Sequence, residues 1–200
     1  FMNKKFESNY IKTKDIEVYL KESLRIADFQ LSLVEEIMNI SNTCIETLNN
    51  GGKIFFCGNG GSASDAQHLA AELIGRFAKD RQPIAAIALN TDTSVMTSIG
   101  NDFGFEFIFS KQLEGIATNK DLLFCLTTSG KSKNIISALQ VGKEIKMKTV
   151  SLVGNEKKYI EGLSDYVITI PSEVVGVIQQ SHITIGQVIC MNIENSLISK

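Results

Sequence analysis

The sequence predicts an α/β fold: a three-layer sandwich built on a five-stranded parallel sheet and preceded by N-terminal helices. Three observations carry this. Five short apolar runs, at 54–57, 84–89, 122–126, 149–153 and 166–170, are continuous rather than alternating. That is the pattern of strands buried on both faces of a parallel sheet. Longer stretches with helical spacing separate the runs, an alternation that covers a parallel sheet with helices on both sides. A helical pattern also precedes the first run, so the chain enters the sheet from helices.

The leading pattern extends from about residue 15 to 49. Leu20, Leu24, Ala27, Leu31, Val34, Met38, Ile45 and Leu48 recur at steps of three, four and seven, which makes one apolar stripe over two or more helices. Asn50, Gly51 and Gly52 end it, as glycine does after a helix. The chain thus divides into an N-terminal helical segment, 1–50, packing on the core and on partner subunits, and an α/β domain, 51–200. Within the latter, helices are expected at 63–77, at 91–116 as one or two pieces, at 132–146, briefly near 157–163, and at 173–199. The only two prolines, Pro83 and Pro171, sit beside strands, and no internal repeat or low-complexity tract appears.

Two hundred residues suit one α/β domain, and 44% hydrophobic content supplies a sizeable core. A net charge of −2, with lysines scattered along helices, excludes a nucleic-acid surface, which needs clustered cations. Cys44, Cys57, Cys125 and Cys190 form no CxxC pair, and Cys57 and Cys125 lie inside apolar runs as small core residues. No secretory segment opens the chain and no apolar run reaches the ~18 residues of a membrane span. The expectation is a reduced, cytoplasmic protein with no membrane partner.

Chemistry concentrates in two turns. After the first run come Gly58, Asn59, Gly60, Gly61, Ser62, Ala63, Ser64 and Asp65, then a helix. Glycines let the backbone turn tightly and approach a ligand, and the helix start offers free N–H groups to an anion. Gly58, Gly60 and Ala63 also fit the dinucleotide fingerprint, but no acidic residue closes the second strand as that site requires. After the third run come Thr127, Thr128, Ser129, Gly130, Lys131 and Ser132. A nucleotide-triphosphate loop would need glycine where Cys125 stands. Small hydroxyls at a strand's carboxyl end, with Ser132 at a helix N-cap, instead suit a phosphate cradle. On the helix after the first turn, His68 and Glu72 are spaced i, i+4 and share a face. A histidine and a carboxylate so placed can share a metal or divide acid and base work.

These turns, with Gly100-Asn101-Asp102 between them, resemble those of a sugar isomerase (SIS) domain. GNGGSASDAQHLAAELIGRF (58–77), IGNDFGFEFIFSKQLE (99–114) and IQQSHITIGQ (178–187) resemble bacterial phosphoheptose isomerases more specifically, and the likeness runs from Asn50 to the end of the chain. The resemblance implies a flavodoxin-like SIS fold and the interconversion of sedoheptulose 7-phosphate and D-glycero-D-manno-heptose 7-phosphate through an enediolate. It further implies a place in lipopolysaccharide or capsule heptose synthesis, zinc, and a homotetramer with sites between subunits. The positions matching Asn59, Gly60, Gly61, Ser62, Asn101, Asp102, Thr127, Thr128, Ser129, Ser132 and Gln179 hold the phosphorylated seven-carbon sugar. Thr127 stands where the usual member has Ser. Those matching His68, Glu72 and Gln179 bind zinc, and Glu72 also matches a catalytic base that touches substrate.

One departure is serious. Eight residues after Gln179 the family carries a second metal-binding, acid–base histidine; here it is Gln187. A carboxamide coordinates metal weakly and cannot shuttle a proton near neutral pH. His182 matches a supporting histidine, or compensates for Gln187. The expected site is therefore Glu72 and Gln187 for catalysis, with His68, Glu72, Gln179 and Gln187 for zinc. The alternative is a non-catalytic SIS relative that binds a phosphosugar and acts through protein contacts, of the type associated with the replication initiator. An aminosugar-phosphate isomerase or a sugar-sensing regulator with the same domain is a third reading.

Overall fold

A computed structural model describes residues 13–198. Helix α1 (Thr13–Phe29) and helix α2 (Val34–Asn49) are joined by a 3₁₀ turn, Gln30–Leu33. Strand β1 (Ile54–Gly58) leads into α3 (Gly61–Ile74), β2 (Ala86–Ala88) and α4 (Thr93–Asp102). A short 3₁₀ turn and α5 (Ser110–Ile116) precede β3 (Leu122–Thr127), α6 (Lys133–Ile145), β4 (Lys148–Val153), β5 (Tyr166–Thr169) and α7 (Val175–Ile198). All five strands pair in parallel, in the order β2-β1-β3-β4-β5.

Side chains alternate across each strand, so the continuous apolar runs feed two cores. Ile54 and Phe56 of β1, with Leu122, Phe124 and Leu126 of β3, pack under α1, α2, α3 and α7. Phe55, Cys57, Leu123 and Cys125 pack on the opposite face under α5 and α6. Cys57 and Cys125 are register partners with Sγ atoms 3.5 Å apart, and all four cysteines are free and buried.

One expectation needs correction. The segment 157–163 forms successive turns, not a helix: Gly162 adopts φ 80°, and Ile160, with Leu163 partly buried beside it, anchors the stretch in the core. The leading apolar stripe faces outward as far as Met38, while Ile45 and Leu48 pack against the core. Leu24, Leu31, Val34 and Met38 are 71%, 72%, 56% and 48% exposed. Ile26, Leu33, Ile37, Ile40 and Cys44 make the buried stripe instead, at helical steps of seven, four, three and four. The helices are apolar on two sides, and only one is covered. The first twelve residues of the 1–50 segment, and Ser199 of the final helix, lie outside the described residues. Among the described residues no helix is long and apolar enough to cross a membrane.

Candidate active site at the switch point

Strand order reverses between β1 and β3, and in such sheets the crevice outside the carboxyl ends at that point is the ligand site. Both chemistry-bearing turns border this crevice. The glycine turn 59–61 leaves β1 for α3, and the hydroxyl turn 128–132 leaves β3 for α6. Their spacing is fixed by a reciprocal carboxamide pair: Asn59 Nδ2 donates to Asn134 Oδ1 and Asn134 Nδ2 donates to Asn59 Oδ1, both at 2.8 Å. Asn90, closing β2, donates to the Gly58 carbonyl at 2.7 Å. The side chain of Asn59, expected to meet substrate, thus ties the two banks together.

Gly61 is dictated by a neighbour. A Cβ there would lie 2.5 Å from Gln179 Nε2, so glycine lets the α7 carboxamide press onto the turn. Gly130 has φ 64°, and any side chain would meet the Glu156 carbonyl. Thr127 is buried, Thr128 half-buried and Ser129 exposed. Ser129 Oγ accepts from the Lys131 N–H at 3.2 Å. Ser132 stands at the N-cap of α6, yet its hydroxyl makes no capping bond. Capping therefore does not account for that hydroxyl, which stays available to an anion beside the helix start. Ser62 is buried in the first turn of α3.

On α3, His68 Nε2 lies 2.9 Å from Glu72 Oε1; the imidazole is half exposed and the carboxylate 18% exposed. The end of α3 is clamped. Arg81 donates to the carbonyls of Glu72 and Leu73 at 2.7 and 2.8 Å, satisfying groups that a helix end leaves unpaired. Glu194 of α7 accepts from Arg81 Nε and from the backbone N–H groups of Phe77, Ala78 and Lys79, all within 3.0 Å. Those bonds hold its carboxyl below the ordinary range against the opposing effect of burial, which is the larger single influence.

Helix α7 runs alongside α3. Gln179 meets Gly61, Gly186 packs on Leu69, and Glu194 reaches Phe77. Gln187, half-buried, follows Gly186, so α7 carries both glutamines past the helix bearing His68 and Glu72. His182 does not compensate for Gln187: it is fully buried, neither ring nitrogen has a hydrogen-bond partner, and burial pushes its pKa down to about 4. The nearby Val153 backbone opposes that shift only in part, without a bond of ordinary geometry. Asn101 and Asp102, closing α4, are exposed and bond each other at 2.7 Å, not any other site residue.

Several residues of the site were not read from sequence. Asp65, one turn before His68, has a buried Oδ2 without a partner, and burial raises its pKa while His68 opposes the shift. Its i, i+3 spacing to His68 was the available signal. Arg81 and Glu194, 113 residues apart, gave none.

The donor set does not fit a tight zinc site. Catalytic zinc uses three nitrogen, sulfur or carboxylate ligands from the protein. His68 and Glu72 are two, Gln179 and Gln187 offer only neutral carboxamide oxygens, and the described residues hold no cluster of three His, Cys, Asp or Glu.

Comparison with known proteins agrees with this geometry. Residues 19–154 match the family described as SIS domain. A phosphoheptose isomerase of a Nitratiruptor species is 48% identical over 160 residues, covering 80% of this chain and 86% of that protein. Phosphoheptose isomerase 1 of Campylobacter jejuni subsp. jejuni is 43% identical over 90% of this chain and 97% of its own. The solved phosphoheptose isomerase of Francisella tularensis superposes with a TM-score of 0.89 at 32% identity, over 93% of this chain and all of that one. That from Neisseria gonorrhoeae gives 0.85 at 36% identity, over 91% and 98%. Fold, switch-point turns and close relatives converge: the chain belongs to the phosphoheptose isomerase family of SIS-domain proteins.

Proposed function

We infer that this chain is an aldose–ketose isomerase that interconverts sedoheptulose 7-phosphate and D-glycero-D-manno-heptose 7-phosphate through an enediolate, supplying heptose for surface polysaccharide. One observation carries the reading: a carboxylate hydrogen-bonded to an imidazole stands on the helix leaving one bank of the switch point, and a hydroxyl cradle forms the other bank. Thr127, Thr128, Ser129 and Ser132, with the start of α6, take the phosphate; the glycine turn and Gln179 border the sugar. Glu72 moves a proton between the adjacent carbons. Gln187 donates a hydrogen bond to the developing oxyanion but relays no proton, so turnover is slower than a histidine there would give, by about a hundredfold. Zinc, with two strong donors, binds weakly, and no step is routed through it. The assembly proposed is a homotetramer of cytoplasmic chains: the outward apolar stripe on α1 and α2 supports contact between copies, and a neighbouring copy would bring the self-paired Asn101 and Asp102 of α4 to the crevice.

Gln187 is also the observation that favours a second reading, a non-catalytic relative that keeps the phosphosugar pocket. Incubation of the pure protein with sedoheptulose 7-phosphate, with and without zinc, separates the two. We expect slow formation of the aldose, little changed by zinc, and a Gln187→His variant about ten- to a hundredfold faster. Binding of the phosphosugar with no aldose from either protein establishes the second reading.

A further inference from the structure

Lys131 lies between Gly130 and Ser132, inside the hydroxyl turn, and neither the nucleotide motif nor the cradle makes use of it. Its Nζ is 2.7 Å from Glu156 Oε2, and the two side chains are about half exposed, at 51% and 47%. Both line a cavity of about 220 Å³ that Thr128 and Ser129 also line. Lys131 is the one cation among the lining residues; Glu173, held by Asn155 Nδ2 at 2.6 Å, is the second carboxylate.

The cradle has a charge problem. Its four hydroxyl side chains are neutral, and the start of α6 offers about half a unit of positive charge. A phosphate monoester near neutral pH carries up to two negative charges. Two carboxylates beside the turn, with no cation facing the anion, would repel it. We propose that Lys131 is the cation that meets the phosphate of the substrate, and that Glu156 holds it at the rim until the phosphate arrives.

Magnitudes favour the exchange. A half-exposed ion pair such as Lys131–Glu156 is screened by solvent and weak, so releasing the lysine costs little. An ammonium bonded to a phosphate in a partly closed turn is the stronger, charge-assisted contact. The flexible four-carbon stem lets Nζ swing without moving the backbone, which Gly130 and the Lys131 N–H to Ser129 bond keep in place. Held by Glu156, the ammonium keeps its proton, its pKa being raised by that hydrogen bond. The site therefore reads charge as well as shape: a sugar lacking the phosphate leaves Lys131 on Glu156.

This inference rests on the phosphate lying in the 127–132 turn, and the test separates the two claims. Dissociation constants for sedoheptulose 7-phosphate are measured by calorimetry at low and high salt for the wild type and for Lys131→Met, Glu156→Gln and Ser129→Ala, with thermal melts to confirm folding. We expect Lys131→Met to weaken binding about tenfold and to flatten its salt dependence. Glu156→Gln should tighten binding severalfold, because the lysine is then free. Weakened binding in Ser129→Ala with Lys131→Met within twofold of wild type overturns the role of the lysine alone. Unchanged binding in both overturns the cradle itself.

Discussion

The two histidines of the chain show how far surroundings decide what a residue can do. His68 is half exposed and bonded to Glu72; His182, fully buried on α7, has no partner at either ring nitrogen. A buried imidazole resists protonation, and its pKa falls from 6.5 to about 4. The sign of the consequence follows from proton counting. Between those values the unfolded chain binds a proton that the folded chain refuses, so stability rises with pH across that window and is lost as pH falls through it. The whole span amounts to about 3 kcal/mol. Chemical denaturation at pH 7, 6, 5 and 4 should show this loss, and a His182→Leu variant should lack that part of it. Equal slopes in both proteins would mean that the histidine is not buried and neutral as described.

At the scale of elements, what decides the site is how α3 and α7 are held together. Arg81 and Glu194 are closed to solvent, with side chains 5% and 1% exposed. Together they bind the end of α3, the loop after it and α7. Removing one partner of such a buried pair leaves the other charge uncompensated and costs about 3–5 kcal/mol. Glu194→Ala should accordingly melt roughly 10 °C lower in a thermal scan; a change of a degree or two would show the clamp to be incidental. None of this was legible in the sequence, because the partners lie on separate elements and neither belongs to a local motif. The strands, by contrast, were legible: burial on both faces writes itself as an unbroken apolar run, and all five fell within two residues of expectation at either end. The stripe from Leu20 to Met38 was legible as a pattern, but what lies against it was not, since periodicity shows that a helix face is apolar and not which surface covers it.

Across the whole molecule, strand order turns two distant turns into one site. Asn59 and Asn134 are 75 residues apart, and they meet because β1 and β3 are neighbours. Residue spacing alone revealed each turn but not their adjacency; the order β2-β1-β3-β4-β5 supplies it. The same topology sets α7 beside α3, which is why Gln179, at the far end of the sequence from Gly61, presses on its backbone. In the proposed reaction labour divides by position: the hydroxyl turn would anchor the phosphate, and Glu72 on the opposite bank would move the proton. The most direct measurement compares wild type with Glu72→Gln, following aldose formation from sedoheptulose 7-phosphate alongside calorimetric binding of the same sugar. The account predicts binding within about twofold of wild type and turnover reduced at least a hundredfold, the share a positioned general base supplies. Turnover equal to wild type would contradict it.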